Sequence, residues 1–147
     1  MKHLTYILVL VLTLFSCNND DDTNIENLEP KAASIIGKWQ WTITEGGISG
    51  VDQVTPDRFG KSVQLNLNSD MSYSIIENGI EIYSGNYIIT TDTSIYSAED
   101  DFINYSENFD YSWHVVFKGV IRMRDALHLT IANNYYDGFT THFNRLQ

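Results

Sequence analysis

The chain has 147 residues, with 9 Lys and Arg against 19 Asp and Glu and a formal net charge of −10. An acidic balance of that size excludes nucleic acid as a partner, because phosphate binding needs clustered Lys and Arg to displace counterions. The single cysteine excludes an intramolecular disulfide and any paired-cysteine metal or redox motif.

Met1-Lys2-His3 places a positive charge ahead of Leu4 to Phe15, a nearly continuous apolar run. This is the pattern of a secretory signal peptide, here residues 1–16. The run falls short of the roughly 20 residues that cross a bilayer as a helix. Leu14-Phe15-Ser16-Cys17 resembles the lipobox of bacterial lipoproteins, with Phe15 bulkier than that box usually carries. The resemblance implies that Cys17 is acylated and becomes the new N-terminus, so that the membrane is a partner through that lipid. Several acyl chains (palmitate among them) anchor where a single chain binds only marginally. An unmodified thiol is the alternative.

Residues 17–33 form a tether. Asn18 to Pro30, NNDDDTNIENLEP, is too polar and acidic to pack and is expected to be disordered. The acidic run looks like the surface-export signal of Bacteroidota-type lipoproteins, and Asn18 does not read as an inner-membrane retention signal. The implied location is the outer membrane or cell surface, after secretion through the inner membrane. A solvated linker carrying no address is the other account of the same residues.

From residue 34 to 147 the chain reads as one domain of strands. Lys38 to Thr44 alternates with Trp39, Trp41 and Ile43 on one face, and Ser62 to Asn68 does so with Val63, Leu65 and Leu67. A side-chain period of two with aromatic and β-branched residues is the signature of half-buried strands. Asn78-Gly79 is a type I′ hairpin signal, and Lys118-Gly119, Arg124-Asp125-Ala126 and Asp137-Gly138 mark later reversals. Strands are expected near 37–45, 61–68, 71–77, 80–90, 112–118, 120–124, 127–132 and 138–145, with Gly85 breaking or bulging the fourth. Roughly eight strands joined mostly by tight hairpins can remove their exposed edges by closing. The fold expected is all-β, an antiparallel up-and-down barrel.

A family resemblance agrees. Gly37-Lys38-Trp39 resembles the Gly-x-Trp motif of lipocalins, and Arg145 resembles their closing arginine. Ile36 to Trp41, Gly46-Gly47-Ile48-Ser49-Gly50, Tyr73 to Gly79 and Tyr136 to His142 look like the lipocalin-like (calycin-type) domain of small bacterial lipoproteins, over essentially residues 34–147. The resemblance implies a barrel closed by Gly37, Trp39 and Arg145, with the first connection, Glu45 to Gly60, as a lid over the open mouth. The stretch from Asp92 to Asp110 is longer and more acidic than that pattern.

Inward parity gives a candidate ligand lining of Trp41, Ile43, Leu65, Tyr73, Ile75, Tyr87, Trp113, Val115, Phe139 and Phe143, with Ile82, Met123 and Leu129 beside them. Eight strands leave an interior that side chains fill or that holds one small ligand. Two functions follow: capture of a small hydrophobic or amphipathic molecule, or a filled, non-catalytic module whose long loops contact a partner protein or glycan. No catalytic set is legible. Gly47-Ile48-Ser49-Gly50 is not a nucleophile elbow, and no metal-hydrolase or phosphate-loop motif occurs. No enzyme activity, cofactor or metal is expected. Asp92, Glu99, Asp100, Asp101, Glu107 and Asp110 read as a solvated acidic loop without calcium-loop spacing. His114, His128 and His142 read as outward-facing side chains, with the last two on adjacent strands.

Overall fold

The computed structural model describes residues 34–48 and 52–147. The expected signal peptide, Cys17 and the tether lie outside the described residues. Nine strands follow in order: β1 (Gly37–Gly46), β2 (Asp52–Val54), β3 (Val63–Leu67), β4 (Ser72–Glu77), β5 (Ile80–Asp92), β6 (Asp100–Tyr105), β7 (Gly119–Asp125), β8 (His128–Ala132) and β9 (Phe139–Arg145). Each pairs antiparallel with its neighbour, and β1 also pairs with β9. Eight strands therefore close into an antiparallel barrel, and the short β2 lies beside the second half of β1.

Local chemistry accounts for most of this. In β3, Val63, Leu65 and Leu67 are buried while Gln64 and Asn66 between them are not, the alternation their side chains predict. Asn78 and Gly79 take φ of 52° and 82°, the two positive values that a type I′ turn needs to join β4 to β5.

Two bulges correct the expected parity. In β1, Trp41 pairs with Phe143 but Ile43 pairs with His142, so Thr42 is an extra residue. The side chains after it change face. Thr44 enters the barrel, and Ile43, expected inside, lies on the outer face with Glu45. In β5 the extra residue is Ile82, because Ile75 pairs with Tyr83 and Ile76 with Glu81. Ile82 is consequently exposed. Gly85 neither breaks nor bulges the strand. It faces Tyr73, where an added Cβ would stand 3.2 Å from the ring.

The expected strand at 112–118 is absent, and β6 forms inside the stretch expected to be an acidic loop. Val115, Val116 and Phe117 are buried in succession, which no strand with one solvent-facing side allows. They enter the barrel as an irregular plug. β6 carries Asp100 in its first position, only 7% exposed. Arg122 on β7 makes that burial tolerable, with Nε and Nη2 donating to the Asp100 carboxylate at 2.6–2.9 Å. The pair also completes a thin seam, since β6 and β7 are in register only at Phe102–Val120 and Ile103–Gly119. The 93–99 connection lies across the outside of that seam. Tyr96 stacks on Arg122 at 5.3 Å and donates its hydroxyl to the Asn133 carbonyl, and the Ile95 amide donates to Asn134.

Trp39 is fully buried at one end of the barrel, its indole donating to the Ile35 carbonyl at 2.7 Å. Arg145 crosses that ring at 4.1 Å and donates to the carbonyls of Ser34, Ile36 and Ala126, each at 2.7 Å. The chain enters the barrel at this closed end. The mouth lies at the other end of β1 and β9, where Gly46 pairs with Phe139.

Candidate binding site at the barrel mouth

Two segments meet over the mouth. The first connection carries a helical turn, Pro56–Phe59, started by Thr55, whose hydroxyl accepts from the Arg58 amide, and by Pro56 at the first position. The turn delivers Phe59 edge-on to Trp41 at 5.8 Å and against His114 at 4.5 Å. Arg58 is held by donating to the Gln53 carbonyl at 2.6 Å.

The second segment is the plug, 107–118. Phe109 stacks on Tyr83 at 4.8 Å and contacts Tyr105 and Phe117. The Tyr111 hydroxyl donates to Glu77 at 2.5 Å, and Lys61 pairs with the same carboxylate at 2.9 Å. The Tyr111 hydroxyl and then Lys61 hold the Glu77 carboxyl below its usual range. Burial, then the bond to Glu77, pushes the Tyr111 phenol upward. Deeper in, the Val116 amide donates to the Thr141 hydroxyl at 2.7 Å. Thr141 bonds Thr44 at 2.9 Å, and Trp41 donates its indole N–H to Thr44 at 3.1 Å. This buried polar chain exists because the Thr42 bulge turns Thr44 inward.

The candidate lining divides accordingly. Trp41, Leu65, Tyr73, Ile75, Tyr87, Val115 and Phe143 are buried together in one core. They pack against each other and against Val116 and Phe117 of the plug. Phe139 is half-buried at the rim. Trp113, expected to face inward from a strand, is 56% exposed on the plug, with His114 at 3.9 Å and Phe139 at 5.1 Å from its ring.

Two hollows lie at the closed end, one beside Asp100 and Arg122 and one beside Leu127 and Arg145, and two clefts lie on either side of Trp113. One cleft of about 310 Å³ has Phe109, Tyr111, Trp113, Tyr135 and Phe139 among its walls, with Asp110, Lys118 and Asn133 at its edge. The other, about 350 Å³, is lined by Asp52, Gln53, Val54, Arg58, Phe59, Trp113 and His114. The first is aromatic with a polar edge. The second is polar with two aromatic walls.

His128 and His142 stand on neighbouring strands, and each has its own carboxylate partner. His128 bonds Asp125 at 2.7 Å, and His142 faces Glu45 at 3.4 Å. His114 is half-buried rather than outward, bonded to Ser112, and burial lowers its pKa. No group of three or more His, Cys, Asp or Glu suited to a metal occurs among the described residues.

Phe59 and the threonine pair are site residues that strand parity does not reveal. The Thr55-Pro56 start signal points to a helical turn, and hence to Phe59. Thr44 and Thr141 carry no such signal, because a bulge sets their direction. Compared with protein-family models, with curated proteins and with solved structures, the chain matches none.

Proposed function

We propose that the protein is a lipid-anchored, non-catalytic binding module that takes a small amphipathic molecule at the rim of its barrel mouth. The observation that carries this is the position of Trp113, more than half exposed between two clefts, while the side chains expected to line an axial cavity are packed. Apolar walls with a few fixed polar groups are the usual make-up of a small-ligand site. The lipobox-like residues ending at Cys17 support the anchor, and the closed barrel supports a lipocalin-like relationship. The filled interior also favours a second reading, in which the same rim docks a partner protein.

The test uses the protein's three tryptophans. Trp39 and Trp41 are buried, so a ligand at the rim changes the emission of Trp113 above all. Full-length protein in nanodiscs, titrated with a panel of water-soluble amphipathic molecules, is expected to show saturable quenching that Trp113→Ala abolishes. Equal quenching in the variant would move the site to the barrel axis. No quenching by any ligand would favour the docking module.

A further inference from the structure

We infer that the ligand held at the mouth is a neutral saccharide, seated in the polar cleft with one sugar face on Trp113. This rests on the reading of the rim as the binding site and names its ligand class. Three observations carry it.

The first is the lining. Asp52, Gln53, Arg58 and His114 face a cleft whose aromatic walls are Phe59 and Trp113. An alkyl chain placed there would desolvate those polar groups without returning hydrogen bonds, a penalty that disfavours it. A pyranose ring has the complementary surface: axial C–H bonds on one face and a belt of hydroxyls, each both donor and acceptor. Carboxylate, amide, guanidinium and imidazole together supply both functions.

The second is rigidity. Arg58 is fixed by its bond to the Gln53 carbonyl, Gln53 donates to Glu45 at 2.8 Å, and His114 is bonded to Ser112 and flanked by both aromatic walls. Polar groups already held in place lose little freedom when a ligand arrives.

The third is charge and placement. A formal charge of −10 disfavours anionic ligands such as nucleotides or fatty acids. The chain reaches the barrel at Ser34, at the closed end beneath Arg145, whereas the clefts lie at the far ends of β1 and β9. Ten residues of β1 separate the two ends, up to about 30 Å along the strand. The clefts therefore open at the end of the barrel away from the point where the chain enters it.

The experiment applies full-length protein in nanodiscs to an array of neutral glycans, then titrates the hits by tryptophan fluorescence. Decanol and AMP serve as the alkyl and nucleotide probes. Saturable binding to neutral glycans is expected, weakened at least about tenfold by Trp113→Ala and by Arg58→Ala, with denaturation midpoints of both variants near wild type. Binding of decanol through Trp113 with no glycan bound would overturn the saccharide assignment and leave the rim site standing. Glycan binding that survives Trp113→Ala unchanged would overturn the seat. Absence of binding to every probe would remove both the assignment and the rim site.

Discussion

The Arg145 guanidinium lies 4.1 Å above the Trp39 ring and within 2.7 Å of three backbone carbonyls, so one side chain holds the entering chain, the indole and the Ala126 turn together. Gly37 belongs to the same arrangement. Its φ is +151°, and a Cβ there would stand 2.3 Å from Arg145 Nη1. The spacing Gly-x-Trp has a steric cause: the glycine leaves space for the arginine that covers the tryptophan.

Arg145→Ala is therefore expected to destabilise the barrel by about 2–3 kcal/mol, combining a cation–π contact with lost charge-assisted hydrogen bonds. Gly37→Ala should cost about 1–3 kcal/mol through backbone strain and the clash. The two are coupled. In an Arg145→Ala background the clash is gone, so the double variant should be more stable than the sum of the single effects implies. Urea denaturation of all four proteins measures the cycle, and strict additivity would contradict the clash.

The β6–β7 seam gives an asymmetric expectation. Arg122 is about half exposed and can turn to water, whereas Asp100 is 7% exposed. Arg122→Ala leaves a buried carboxylate without its cation and should cost about 3 kcal/mol; Asp100→Ala should cost less. Hydrogen exchange at Phe102 and Ile103 should accelerate in both variants before the remaining ladders loosen.

The Glu77 site makes stability depend on pH. Its carboxyl is held below the ordinary 4.5, chiefly by Tyr111 and then by Lys61. A lowered folded pKa means that the contribution is fully present above about pH 4.5 and is lost as pH falls through the folded value. Tyr111→Phe should lower stability at pH 7 by about 1–2 kcal/mol, and the gap to wild type should narrow below pH 4.5. Thermal melts at pH 7, 5 and 3 check both parts.

The anchor is tested at Cys17. Metabolic labelling with a palmitate analogue is expected to mark the wild type and leave Cys17→Ala unlabelled, with the variant released from the membrane fraction. Equal labelling of both would remove the lipid anchor from the proposal.

Much of the barrel was legible because strand parity and turn chemistry are local. Trp39, Trp41, Val63, Leu65 and Leu67 declare their face by alternation, and Asn78-Gly79 declares its turn. The misplaced strand shows where that logic stops. Val115-Val116-Phe117 has strand-forming side chains, but its burial is supplied by the barrel interior on all sides. Asp100-Asp101-Phe102-Ile103 looks like loop until Arg122, 22 residues away, neutralises Asp100. The site was less legible than the fold for the same reason. Trp113 owes its position to His114, Phe139 and the plug, and Thr44 owes its direction to one inserted residue.

The pairing of β1 with β9 has a kinetic consequence. Arg145 bonds the carbonyl of Ile36 across 109 residues of chain, and β1 has its β9 neighbour only after that length has been made and folded back. Such non-local closure is slow, in the range of milliseconds to seconds for β-rich domains. Until it happens, Trp39 lacks its cover and β1 shows an open edge. An emerging chain is thus kept from completing its barrel until the last strand appears.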